Sequence, residues 1–125
     1  MAEERVVQAL VAAALEGGEI LRESFQTEAV RVEAEKSRAN FVTNIDLRVQ
    51  ERVFRSLRMT LPGVEVVGEE SECPSIPQEA VIVDPLDGTL NFMHGYHELA
   101  VSLGYWRCGQ PVAGAVYNPI TDDLF

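Results

Sequence analysis

Asp84-Pro85-Leu86-Asp87-Gly88-Thr89 gathers two carboxylates, a glycine and a hydroxyl at the end of an apolar run, Ala80 to Val83. Asp84 and Asp87 stand three residues apart, so on an unbroken strand they would face opposite sides of a sheet. Pro85 keeps Asp84 extended, because the residue before proline disfavours the helical region. Gly88 permits a tight bend just after. Together these predict a backbone that turns sharply and aims both carboxylates at one point. Two adjacent carboxylates are unfavourable unless a proton or a cation compensates them. Oxygen donors select hard cations, and Mg²⁺ typically takes one or two carboxylates plus substrate phosphate oxygens. Gly88 to Phe92 is predicted to open a short helix, whose first N–H groups would hold phosphate oxygens. Taken alone, DxxDG favours a plainer reading, a strand-to-helix turn in which Asp84 caps the backbone. An EF-hand does not fit, since its carboxylates fall on alternate residues.

The elements that must position this loop follow from periodicity. Val7, Leu10, Val11, Ala14, Leu21 and Phe25 predict a helix from Glu3 to Phe25, with Gly17-Gly18 weakening it or admitting a close neighbour. Ala29 to Glu35 alternates as a half-buried strand, followed by a polar loop from Lys36 to Asn40. A second helix is predicted from Asn44 to Met59, with Val49, Val53, Phe54 and Leu57 on one face, and Leu61-Pro62-Gly63 stops it. Strands are expected at Val64 to Val67, Ala80 to Val83, Leu99 to Trp106 and Val112 to Tyr117, with a turn over Asn118 to Asp123. Leu124-Phe125 reads as the opening of a further strand and so predicts a chain cut short.

The 125 residues suit one compact domain. No apolar run reaches the roughly 20 residues of a membrane helix, and the acidic start Met1-Ala2-Glu3-Glu4 is unlike a secretory signal. A cytoplasmic protein without membrane association is expected. Cys73 and Cys108 match no zinc spacing and read as structural thiols. The formal net charge is −10, and no Lys or Arg falls between Arg58 and Arg107. That stretch would repel nucleic acid, and also a phosphate ester unless cations lay between. Direct nucleic-acid binding is therefore not expected. A solvated acidic surface accounts for Glu72 and Glu79, but poorly for Asp84 at the end of an apolar run.

The sequence from Ala80 to His94 closely resembles the signature of the inositol monophosphatase family. Gly68-Glu69-Glu70-Ser71 resembles that family's second acidic motif, and Val42-Thr43-Asn44-Ile45-Asp46 a third. The resemblance runs from the first helix to the last residue. It implies an α+β fold, a layered α/β sandwich of the sugar-phosphatase type. Two N-terminal helices would pack on a mostly antiparallel sheet, with residues 1–125 forming the N-terminal, metal-binding half.

The resemblance also implies roles. Glu69, Asp84, Asp87 and the Leu86 carbonyl match metal ligands, with Glu70 a further candidate. Gly88 and Thr89 match the phosphate-binding N–H groups. Thr89, partnered by Asp46 and with Glu69, matches the positions that activate an attacking water. The implied activity is hydrolysis of a small phosphorylated polyol, above all inositol monophosphate, without a phosphoenzyme. Two or three Mg²⁺ ions would serve each complete site, and the full-length form would be a homodimer. Activity on fructose-1,6-bisphosphate or a 3′-phosphonucleotide, or a non-catalytic metal- or partner-binding module, are the alternatives. Thr43-Asn44-Ile45-Asp46 reads equally as a helix capping box. Lys36 matches a loop lysine of the family but also a solvated surface group. His94 and His97 read as structural, and Tyr96, Tyr105 and Trp106 as core or interface aromatics. The chain departs from the family at Ala80-Val81, where an aromatic is common, and at Leu90, where a second threonine is common. It also lacks the WDxAAG-type motif whose aspartate completes the second metal site. A chain without that carboxylate is expected to be weakly active or inactive.

Overall fold

The computed structural model describes residues 3–27, 30–37, 40–68 and 78–125. Helix α1 (Glu3–Ser24) buries Val6, Leu10, Ala13, Ala14, Gly17 and Leu21, the stripe expected of a helix with one face on the core. Glu3 and Glu4 in its first turn and Arg22 in its last complement the helix dipole. Strands β1 (Val32–Ser37) and β2 (Asn40–Thr43) form an antiparallel hairpin, and helix α2 (Asn44–Thr60) follows directly. Thr43 caps α2, and Ile45, Val49, Val53 and Leu57 face inward. The helix closes at Leu61, whose N–H donates to the Leu57 carbonyl at 2.7 Å, and Gly63 turns the chain with φ 90.

Strands β3 (Glu65–Gly68), β4 (Glu79–Asp87), β5 (Ala100–Arg107), β6 (Gln110–Asn118) and β7 (Asp123–Leu124) make one sheet in that spatial order. Only the β3–β4 pair is parallel. A six-residue helix, α3 (Thr89–His94), lies between β4 and β5. Both long helices pack on one face of the sheet, so Val81, Val83, Val101, Leu103, Ala115 and Tyr117 point into a shared core with α1 and α2. On β6 the alternation is plain: Ala115 and Tyr117 are buried, while Gly114 and Val116 are exposed. This is the expected α+β arrangement, with the sheet mostly antiparallel.

Several local expectations are corrected. Of the polar loop placed over Lys36 to Asn40, the described residues are strand: Lys36 and Ser37 end β1 and Asn40 begins β2. The two strands pair antiparallel; Val32 is 49% exposed, while Val30 packs partly buried against the core. The strand at Ala80 to Val83 runs on through Pro85 to Asp87. Tyr105 is a core aromatic, but Tyr96 is 61% exposed. Glu79 is more than a surface acid. It accepts a hydrogen bond from the Tyr105 hydroxyl at 2.5 Å, and that bond, with burial, holds the phenol above its ordinary range. Cys108, read as a structural thiol, is a free and exposed one in the β5–β6 turn at φ 54, and Cys73 lies outside the described residues. Leu124 does belong to a strand, paired with Tyr117.

Gly17 and Gly18 are where α1 is approached most closely. A Cβ at Gly17 would come within 2.8 Å of Val53 Cγ2, and one at Gly18 within 2.4 Å of the Tyr117 ring. That ring cannot swing aside easily. Its hydroxyl accepts from Arg22 Nη2 at 2.6 Å and donates to Asp122 Oδ1 at 2.8 Å. Gly18→Ala should therefore lower stability by about 1–2 kcal/mol, since overpacking outweighs the roughly 1 kcal/mol that alanine contributes to a helix. Urea denaturation measures this, and a stabilised variant would show that the ring yields.

Candidate functional site

β4 delivers the acidic loop, and its pairing with β5 explains how the two aspartates come together. Asp84 stands opposite Ser102 and Asp87 opposite Ala100. Three steps along β4 thus match two along β5, which is a one-residue bulge. Ser102 and Ala100 share a face of β5, so their partners Asp84 and Asp87 share a face of β4. It is the face away from α1 and α2, since Val83, Val101 and Leu103 fill the other. Convergence of the carboxylates thus begins inside the strand, at the bulge around Pro85. Proline suits that position because it has no N–H to leave unpaired.

Gly88 then makes the turn into α3 with φ 95 and ψ 38. A Cβ there would lie 2.7 Å from the Glu98 carbonyl oxygen. As the helix N-cap it brings no side-chain acceptor, so the first turn of α3 has no side-chain cap. The Phe92 N–H donates to the Gly88 carbonyl at 2.9 Å and closes that turn. Phe92 is buried and its ring lies 5.9 Å from that of Phe25, which seats α3 against the end of α1. Gly95 ends the helix at φ 77.

Thr89 reaches across the fold. Its hydroxyl lies 2.9 Å from Asp46 Oδ1 and 3.2 Å from the Leu86 carbonyl oxygen. Asp46 is 8% exposed, and its other carboxylate oxygen accepts from the Thr43 backbone N–H at 3.1 Å and from the Thr43 hydroxyl. The Asp46 N–H returns a bond to Thr43 Oγ1 at 3.2 Å. Both readings of Asp46 therefore coexist. One oxygen completes the capping box, and the other is turned to Thr89.

Burial pushes the Asp46 carboxyl above its ordinary 3.8, against the hydrogen bonds from Thr43 and Thr89 that favour the anion. Such a group binds its proton more tightly in the folded chain. Its stabilising contribution is complete below pH 3.8 and is lost as pH rises through the folded pKa. In chelator-treated protein, subtracting the stability curve of Asp46→Asn from that of the unsubstituted chain should leave a difference that falls with pH above 3.8. A rising difference would mean that the hydrogen bonds outweigh burial.

Of the residues singled out in the sequence, Asp46, Leu86 and Thr89 are joined by hydrogen bonds, and Asp84, Asp87 and Gly88 flank them on the same loop. Asp84 is half-buried and Asp87 exposed. Glu69 and Glu70 lie outside the described residues, and among the described residues no group of three or more His, Cys, Asp and Glu is close enough to hold a metal. The donors present, two carboxylates and a peptide carbonyl, are all hard oxygens, which suits Mg²⁺ and not a thiolate-seeking metal. His94 and His97 are exposed, and His97 packs edge-on against Phe25. Two asparagines escaped sequence reasoning. Asn91 Nδ2 donates to the Glu98 carbonyl at 2.7 Å and Asn118 Nδ2 to the His97 carbonyl at 2.9 Å, pinning the segment that backs Gly88. No periodicity marks them; only the taste of asparagine for turns hinted at it.

The sequence profile of the inositol monophosphatase family matches residues 2–125. Inositol monophosphatase 3 of Solanum lycopersicum is 38% identical over 98% of this chain, which covers 47% of that protein. The fructose-1,6-bisphosphatase/inositol-1-monophosphatase of Aquifex aeolicus is 38% identical over 90% of the chain and 43% of its own length. The crystal structure of the extragenic suppressor protein suhB from Bartonella henselae superposes with a TM-score of 0.87 at 36% identity, over 96% of this chain and 47% of that one. The chain thus spans about half the length of the relatives it matches. Fold and relatives together define a layered α+β chain of the kind seen in these structures. Within that class, the chain belongs to the inositol monophosphatase family.

Proposed function

We propose that residues 1–125 are the N-terminal, metal-binding half of an Mg²⁺-dependent phosphatase that hydrolyses a small phosphorylated polyol, with inositol monophosphate as the leading substrate. The contact between Thr89 and Asp46, made across 43 positions of sequence, carries this reading. A buried carboxylate held on a helix cap and turned to a hydroxyl beside a two-aspartate bulge is more than a turn requires. Asp84, Asp87, the Leu86 carbonyl and Glu69 would hold Mg²⁺. A metal held by these residues would lower the pKa of water and neutralise phosphate charge. The N–H groups of Gly88 and Thr89 orient the phosphate oxygens at the start of α3. The Thr89 hydroxyl positions the attacking water, and Asp46 accepts the proton passed through that hydroxyl. The two aspartates stand three residues apart and not in a DxD pattern, which supports direct attack by water without a phosphoenzyme.

Inositol 1-phosphate is the first substrate to try. Fructose-1,6-bisphosphate is the second, because the Aquifex aeolicus relative carries both names. Among the described residues no helix is long and apolar enough to cross a membrane, in keeping with a cytoplasmic enzyme. The test is phosphate release in the presence of Mg²⁺. The 125-residue chain alone should turn over slowly or not at all, and the same chain continued through a C-terminal half of the family should turn over rapidly. Asp84→Asn in the longer chain should abolish turnover. Full activity in that variant would refute the metal assignment.

A further inference from the structure

The outward face of α2 is a concentrated positive patch on an acidic chain. Of the 10 Lys and Arg residues, four, Arg48, Arg52, Arg55 and Arg58, lie on this helix, while the chain as a whole carries −10. All four are exposed. Arg52 pairs with Glu16 at 3.2 Å, and Arg58 lies over the Phe54 ring, 5.4 Å from its centroid. Arg48 and Arg55 make no ion pair among the described residues. Helical spacing sets Arg48, Arg52 and Arg55 in one row.

Beside that row lies a groove of about 610 Å³ whose walls include Leu47, Phe54, Arg55, Arg58 and Met59, with Glu51 the one carboxylate among its lining residues, against two arginines. Leu47 is exposed, and Met59 is 77% exposed. The groove borders β3, since Gly68 sits against Gln50 and the Phe54 ring tip. It is separate from the candidate site, because Asp46 points inward from the same helix. Apolar walls edged by cations, on a chain otherwise rich in carboxylates, are unlike a merely solvated helix face.

We propose that this face of α2 docks an acidic segment of another protein, one that carries large apolar side chains between its carboxylates. Charge complementarity selects the class of partner. A second copy meeting this face symmetrically would set the arginine row against itself. Nucleic acid would face the repulsion of the remaining chain and leave the apolar walls uncovered. A bilayer is flat, whereas the groove is concave and sized for side chains. From Leu47 to Met59 the helix runs roughly 18 Å, the reach of a short peptide.

Random peptides displayed on phage and selected on the immobilised full chain test the idea. Enriched peptides should combine Asp or Glu with Leu, Phe or Trp. In fluorescence anisotropy, Arg55→Glu with Arg58→Glu should weaken the best synthetic peptide by about tenfold or more, equivalent to 1.4 kcal/mol or above. Arg55→Lys with Arg58→Lys should retain most of the binding, and the unfolding midpoint of each variant should match that of the unsubstituted chain. Four results would overturn the proposal: no enrichment of acidic peptides, binding indifferent to charge reversal, tighter binding of a single-stranded oligonucleotide or of phosphatidylglycerol vesicles than of the peptide, or dimerisation abolished by the charge-reversed variant.

Discussion

Gly88→Ala is expected to destabilise the chain by roughly 2–5 kcal/mol, combining about 1–2 for a side chain at positive φ with about 1–3 for overpacking. Two independent features set this size. The residue sits at φ 95, and its Cβ would stand 2.7 Å from the Glu98 carbonyl oxygen. That oxygen belongs to backbone and is held by Asn91 Nδ2 at 2.7 Å, so it cannot retreat as a side chain would. Relief must come from moving the start of α3 or the segment before Leu99. Either shift displaces Thr89 from Asp46. Chemical denaturation should show the loss of stability. In the catalytically complete protein, turnover should fall at temperatures where the variant is still folded. A variant as stable as its parent would mean that the turn relaxes into another conformation.

The Asp46–Thr89 pair supports the second large effect. In the complete enzyme, Asp46→Asn and Thr89→Val should each lower kcat by about a hundredfold or more, the usual scale for losing a positioned proton-transfer group. The double variant should be little worse than either single one, because residues acting as a unit are not additive. KM should change much less than kcat if the pair serves the attacking water and not ground-state binding. Multiplying single effects would indicate that the two residues act separately. Stability distinguishes the sites further. Asp46→Asn disturbs the cap of α2, whereas Thr89→Val leaves Thr43 and Asp46 bonded to each other.

Legibility from sequence followed the range of the interactions. The capping box at Thr43 and Asp46 is local and was plain from four residues. The turn after Asp87 was marked by Gly88, and the close approach at Gly17-Gly18 by the pair of glycines itself. The bounds of β1 and β2 were misplaced because they are set by backbone pairing between two strands, which no local pattern of residues marks. The bulge at Asp84 to Asp87 was hidden because it is a relation between two strands. So was the Tyr105–Glu79 bond, which joins β5 to the start of β4. The meeting of Thr89 with Asp46 was suggested by family resemblance alone, since no spacing links residues so far apart. Glu69 lies outside the described residues, so its place in the site rests on sequence.

The two-handed carboxylate of Asp46 has a dynamic consequence. Helix ends are the first parts of a helix to fray, and local opening has its own free energy below that of global unfolding. Here the fraying end of α2 holds the oxygen that meets Thr89. Release of the Thr43 cap would free Asp46 to rotate, so the entry to α3 and the first turn of α2 should loosen together. Hydrogen exchange at the amides of Asp46 and of residues 89–92 would then report one shared opening event. The fidelity of the site would be set by the resilience of a single helical turn more than by the stability of the whole fold.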